Sequence, residues 1–89
     1  MIKVSFSSSF KRSFKKRIKG NSDLEARFWQ KLARFTSDPF EQSLKTHKLS
    51  GKLQELWSFS VGYDARVLFY FTSEGDAVLV DIGTHDEVY

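Results

Sequence analysis

The sequence predicts an α+β fold, a two-layer sandwich of order β-α-α-β-β-β in which two N-terminal helices pack on one face of an antiparallel sheet ending in a C-terminal meander. Three observations carry this. The first residues alternate apolar and polar with the period of a half-buried strand, residues 9–38 change to helical periodicity, and three β-branched and aromatic runs follow, separated by short turns.

Ile2, Val4 and Phe6 fall on one side of IKVSFS, which predicts the first strand. From Ser9, Phe10, Phe14 and Ile18 recur at four-residue spacing while Lys11, Arg12, Lys15, Lys16 and Lys19 point elsewhere. That is a basic amphipathic helix, capped by the Ser7-Ser8-Ser9 run and ending at Gly20. Ser22-Asp23-Leu24-Glu25 reads as a capping box opening a second helix, whose buried stripe is Leu24, Phe28, Leu32 and Phe35 and which stops by Asp38, before Pro39. Residues 39–50 show neither period and are expected to form a loop. Leu53–Val61, Ala65–Phe71 and Ala77–Ile82 are the meander strands, joined by Gly62-Tyr63-Asp64 and by the turn at residues 72–76. Alternation makes one face of the sheet apolar, for the helices to cover. The other, carrying Ser58, Ser60 and Arg66, is left open to a partner.

Composition narrows the chemistry. A chain of 89 residues is expected to be a single domain, 1–89, with a modest core and a shallow site. It has no cysteine, which removes thiolate nucleophiles and disulfide scaffolds and leaves two histidines as soft metal ligands, so no metal is expected. The longest apolar run is far short of the roughly 20 residues of a membrane span, and the first residues lack the order of a signal peptide, so a cytoplasmic protein without membrane contact is expected. The net charge is +3, yet residues 1–20 hold seven of the 14 Lys and Arg and none of the 11 acids. Concentrated positive charge attracts polyanions through counterion release; the same run also reads as a solvated helix face.

One reaction needs neither metal nor cofactor nor cysteine: RNA cleavage, in which the substrate's 2′-hydroxyl is the nucleophile. The protein must then supply a base for that proton, a cation for the charge developing on phosphorus, and an acid for the leaving 5′ oxygen. Histidine titrates near neutrality and arginine offers a planar fork to phosphate, so His47, Arg66 and His85 fill these roles on paper. His47 leads into the meander, Arg66 lies near the start of its middle strand and His85 follows its last strand, so antiparallel pairing can bring them toward one end of the sheet. Tyr89 is placed to stack on a base or to pack on the sheet edge. By composition alone each histidine is more often surface or hydrogen-bonded filler than a catalyst, and Arg66 can also be read as a partner of Asp64 or Asp81.

The run HKLSGKLQELWSFSVGYDARVLFYF, followed by GDAVLVDIGTHDEVY, resembles the RelE/ParE superfamily of toxins from type II toxin-antitoxin systems, within it the RelE and YafQ-type mRNA interferases. Its most specific pieces are His47-x-Leu49-x-Gly51, the strand from Arg66 to Tyr70, and the terminal Gly83-Thr84-His85 with Tyr89. The resemblance implies a toxin that enters the 70S ribosome and cuts mRNA, restrained by a cognate antitoxin protein. It implies catalytic positions at His47, Arg66, His85, Tyr89 and Asp64; on this reading the concentrated basic charge, Lys11, Lys15, Lys16 and Lys19 with Lys48 and Lys52, is expected to hold ribosomal RNA. Ser58 and Ser60 depart from the Asp and His of the YafQ type on the same strand. Alternatives on the same fold are a ParE-like inhibitor of DNA gyrase and a non-catalytic nucleic-acid-binding module. Removing residues 83–89 is expected to abolish cleavage and to leave the fold largely intact.

Overall fold

The computed structural model describes residues 1–51, 55–62 and 64–89. The chain runs β1 (Val4–Phe6), α1 (Ser8–Ser13) continued by a π-helical turn (Phe14–Ile18), α2 (Ser22–Ser37), a 3₁₀ turn (Gln42–Leu44), β2 (His47–Lys48), β3 (Trp57–Ser60), β4 (Ala65–Phe71), β5 (Ala77–Thr84) and α3 (His85–Val88). The strands form one sheet in the order β1-β5-β4-β3-β2, with α1 and α2 on one face, which is the α+β sandwich expected. Strands β2 to β5 are antiparallel, as a meander requires. The first strand instead joins parallel to β5, with Val4, Ser5 and Phe6 opposite Ala77, Val78 and Leu79, so the sheet is mixed.

The core lies between helices and sheet. Phe28 and Phe35 from α2 and Phe59 and Phe69 from the sheet have no exposed surface. Phe35 stacks on Phe59 at 4.6 Å between ring centroids and meets Phe69 edge-on at 4.9 Å, the two favoured aromatic arrangements. Burial of each such ring contributes about 1.5–3 kcal/mol. Between Leu68 and Phe69 the β4–β5 register slips: Leu68 faces Asp81 but Phe69 faces Leu79, so Val80 is an extra residue on β5. This bulge reverses the alternation, and Leu79 and Ile82, three positions apart, both enter the core.

Five local features differ from the sequence reading. The cap of α2 is Asn21, whose side chain accepts from the Leu24 amide at 3.2 Å, not a box beginning at Ser22; an Asx side chain serves a bare amide as well as a hydroxyl does. The basic helix is not uniformly α-helical, because the Lys19 amide reaches back five residues to the Phe14 carbonyl. Residues 39–50 contain the 3₁₀ turn and β2, a pairing too short to leave a period in the sequence. The first meander strand begins at Trp57; Leu53 and Gln54 of its expected range, like Tyr63 of the following turn, lie outside the described residues. The last strand runs two residues beyond Ile82 and is followed by α3. Gly83 and Thr84 pair with Arg66 and Ala65, and Val88 is buried, so residues 83–89 are part of the packed structure, not a separable tail.

β1 ends opposite Leu79, and beyond that point the outer edge of β5 has no strand partner among the described residues. Side chains of the basic segment take its place: the Ser9 hydroxyl donates to the Val80 carbonyl at 2.7 Å and Arg17 donates to the Ile82 carbonyl at 3.2 Å. The π-helical turn thus carries one cation, Arg17, onto the sheet while Lys15, Lys16 and Lys19 stay exposed.

Candidate active site

Residues directly opposite in paired strands project to the same face. On the face away from α1 and α2, His47, Ser58, Leu68 and Asp81 form one cross-strand row, and Ser60, Arg66 and Gly83 form the next. With strands about 4.8 Å apart and a two-residue step of roughly 6.6 Å, the His47 and Arg66 backbones stand on the order of 12 Å apart with their side chains on one surface.

The His47 ring is exposed, and its Nδ1 lies 2.9 Å from the Lys45 carbonyl oxygen. A carbonyl only accepts, so Nδ1 carries the hydrogen in this contact and the Nε2 lone pair of the neutral ring is left to receive a proton. Lys45 holds its carbonyl there from a left-handed backbone conformation, φ 52°. Arg66 is half-buried and donates from Nη1 to the Ala65 carbonyl at 3.1 Å. Neither Asp64 nor Asp81 binds it; Asp81 is held by Arg17 at 3.3 Å.

His85 enters through α3, which packs on β4 and β5 and covers part of the face expected to stay open. A capping box starts this helix: the Thr84 hydroxyl accepts from the Glu87 amide at 3.3 Å, and the Glu87 carboxylate accepts from the Thr84 amide at 2.7 Å. Arg17 Nε stands 3.6 Å from the same carboxylate. The amide bond from Thr84, and after it Arg17, hold the Glu87 carboxyl below its ordinary range. Gly83 is where these groups crowd, since a Cβ there would lie 2.8 Å from Arg17 Nη1 and 2.9 Å from Glu87 Oε1.

At its other end α3 lays Tyr89 over the sheet. The Tyr89 hydroxyl donates to Ser58 Oγ at 2.6 Å, and Ser58 has no exposed surface. The His85 ring meets the Tyr89 ring edge-on, centroids 4.5 Å apart at 90°. The His85 side chain is 62% exposed, with its Nδ1 3.6 Å from the solvated Asp86 carboxylate, a contact of small energetic weight.

The structure therefore brings His47, Arg66, Tyr89 and His85 to one face and leaves the other site candidates elsewhere. Asp64 is exposed on the β3–β4 turn and lines a cleft of about 360 Å³ with Arg17, Arg27, Thr84 and Glu87. Lys11, Lys15 and Lys19 rim a groove of about 320 Å³ between α1 and α2 that is floored by Phe6, Phe10, Phe14, Phe28 and Trp29. Lys16 is exposed and near enough to influence the Glu87 charge. Lys48 pairs with Trp57 and so projects away from His47, at the sheet edge opposite β1. Lys52 lies outside the described residues. The lysines thus do not form one patch: the sheet separates those of the basic segment from Lys48.

Two residues at the centre of this arrangement did not stand out in the sequence. Arg17 is one of several cations in the basic run, and only the π-helical turn singles it out. Ser58 reads only as a departure from the YafQ-type pattern, and only the fold of α3 shows what it holds. Among the described residues no group of three His, Cys, Asp or Glu side chains is placed to bind a metal ion.

The family described as "Bacterial toxin of type II toxin-antitoxin system, YafQ" matches the chain over residues 2–89. No curated protein sequence matches it. Among solved structures, a metal-bound toxin from Helicobacter pylori is similar at 22% identity, TM-score 0.74, over 100% of both chains. YafQ from E. coli strain BL21(DE3) is similar at 17% identity, TM-score 0.69, over 100% of this chain and 99% of that one. The YoeB-YefM complex from Staphylococcus aureus contains a chain similar at 15% identity, TM-score 0.74, over 96% of this chain and 98% of that one. At these identities the structural likeness establishes a shared fold.

Proposed function

Because the chain belongs to the YafQ family of bacterial type II toxin-antitoxin toxins, we propose that residues 1–89 act as one toxin domain, an endoribonuclease that cuts messenger RNA in the ribosome. The observation that carries this is the placing of Tyr89 on Ser58 with His85 edge-on against it, on the face that also presents His47 and Arg66.

In this reading His47 Nε2 takes the proton of the 2′-hydroxyl, and the freed oxygen attacks the adjacent phosphorus. Arg66 turns its guanidinium onto the non-bridging oxygens, whose charge grows as the phosphorane forms. The bond from phosphorus to the 5′ oxygen then breaks, with His85 supplying the proton that the leaving oxygen needs. The products are a 2′,3′-cyclic phosphate and a 5′-hydroxyl, and neither metal nor cofactor enters the balance. Tyr89 offers its ring to the nucleotide beside the cut. Asp64 lines the neighbouring cleft with Arg17 and Arg27, apart from the two histidines. Lys11, Lys15, Lys16 and Lys19 contact ribosomal RNA, as do Lys48, at the far edge of the sheet, and Lys52. The same lysine-rimmed groove suits an acidic apolar segment of the cognate antitoxin, whose binding weakens with salt if charge carries it. A substrate met on ribosomes places this work in the cytoplasm.

The test compares wild type, His85→Ala and Arg66→Ala for growth arrest and for new 5′ ends in translated messages. Each variant is expected to lose cleavage by about 100-fold or more. If both arrest growth as wild type does and no new ends appear, the nuclease reading is wrong; a loss of supercoiling by purified gyrase would then establish the ParE-like alternative.

A further inference from the structure

Ser58 occupies a position where two independent features of the fold meet. Its backbone pairs with His47 across β2 and β3, and its hydroxyl accepts the hydrogen bond of Tyr89, whose ring carries His85 against its edge. We propose that Ser58 is a positioning residue that fixes His85, through Tyr89, at a set distance from His47. This rests on the reading of the two histidines as base and acid.

A helix of four residues cannot hold its own shape in water, because its few internal bonds do not repay nucleation. α3 is held instead from outside, and differently at its two ends. Thr84, Glu87 and Arg17 fix its start, next to β5. Nothing in that cluster reaches its far end, where the ties are the burial of Val88 and the Tyr89–Ser58 hydrogen bond. Of these ties to the sheet only the hydrogen bond is directional, so it orients the Tyr89 ring that His85 meets at 90°, while the Tyr89 amide, donating to the His85 carbonyl at 3.0 Å, couples the two residues.

The size of Ser58 matters as much as its hydroxyl. The side chain is wholly covered, so a longer residue there would occupy the space into which the Tyr89 hydroxyl reaches. An acid or imidazole at this position would meet the Tyr89 hydroxyl where it enters; serine leaves that space and gives the C-terminal ring a seat. The serine at this position is thus part of an alternative arrangement and not a vacancy in the family's one.

The experiment removes the same hydrogen bond from each side, with Ser58→Ala and Tyr89→Phe, and combines the two. The first leaves a smaller side chain in a central strand and the second keeps the ring, so both are expected to fold. Two readouts are taken: the ring-current displacement of the His85 imidazole protons by NMR, and kcat and KM for message cleavage on ribosomes. In either variant the displacement should collapse toward that of Tyr89→Ala, and kcat should fall about tenfold with KM unchanged. The double variant should be no worse than either single one. Unchanged His85 resonances in both variants, or losses that simply add, would overturn the proposal. Should the wild-type chain cut no RNA, the acid–base reading falls, while the resonances alone still decide whether Ser58 seats Tyr89 and His85.

Discussion

The two faces of one sheet are built on different principles. Toward the helices, Phe28, Phe35, Phe59 and Phe69 fill space with many weak contacts, and each ring touches several others. Toward α3, the arrangement hangs on a few directional ties: Tyr89 to Ser58, Glu87 to Thr84, and Arg17 to Glu87 and Asp81. The first kind of surface sets stability and tolerates small displacement. The second contributes little to stability, yet a slight shift moves His85.

The sharpest way to break this contrast is one truncation on each side. Phe35→Ala empties the centre of the aromatic cluster and should cost about 3–5 kcal/mol of unfolding free energy. His85→Ala removes a largely exposed ring and should change stability by less than about 0.5 kcal/mol while cleavage is lost. Urea denaturation of both variants checks the pair. Similar destabilisation by the two would mean that α3 is as much a part of the core as α2.

The same contrast explains what the sequence revealed. The helix-facing side was legible because packing leaves a period: Phe28, Leu32 and Phe35 on α2 and the alternation through Phe59, Val67 and Phe69 predict the sandwich directly. The site side was legible only as residue types. His47, Arg66 and His85 stood out for their chemistry, but nothing periodic marks β2, a two-residue strand, or the bulge that lets Leu79 and Ile82 share a face. The cap of α2 was misplaced by one residue because Asn21 and Ser22 are both good caps. A capping box does occur, at Thr84 and Glu87, where the sequence suggested only a terminal segment after the last strand. Arg17 could not be told from its cationic neighbours, since its role depends on a π-helical turn that no composition signals.

A smaller perturbation tests the crowding beneath α3. Gly83→Ala needs no unusual backbone angle, so any effect must come from contact with Arg17 and Glu87. Arg17 Nη1 and the Glu87 carboxylate end flexible side chains, which can part to admit the methyl group, while Glu87 Cβ, 3.0 Å away, requires α3 to give by only a few tenths of an ångström. The stability cost should accordingly be only about 1 kcal/mol, at the low end for overpacking. Cleavage should fall more than that cost suggests, because parting Arg17 from Glu87 frees the start of α3. Thermal unfolding alongside the cleavage assay separates the two, and an unaltered cleavage rate would show that the Arg17–Glu87 contact does not govern His85.

Acid should reach the same cluster without a mutation. The Thr84 amide, and then Arg17, hold the Glu87 carboxyl below its ordinary value of 4.5, so the folded protein favours the charged form more than the unfolded chain does. A group depressed in this way contributes its stabilisation above the unfolded value and loses it as pH falls through the lower folded one. Glu87 is 41% exposed, and solvent screening keeps the global effect small, so α3 should loosen before the core responds. The Val88 methyl resonances, displaced only while α3 is docked, should shift as pH drops below about 4.5, with the Phe35 and Phe59 ring signals unchanged. Glu87→Gln should remove that transition while the amide oxygen still accepts from Thr84. Glu41, lowered chiefly by the Ser43 hydroxyl beside the 3₁₀ turn, titrates in the same direction and would act on the helical side. Because Glu41 stays intact in Glu87→Gln, core signals whose shift disappears together with that of α3 in this variant would mean that the two faces are energetically a single unit.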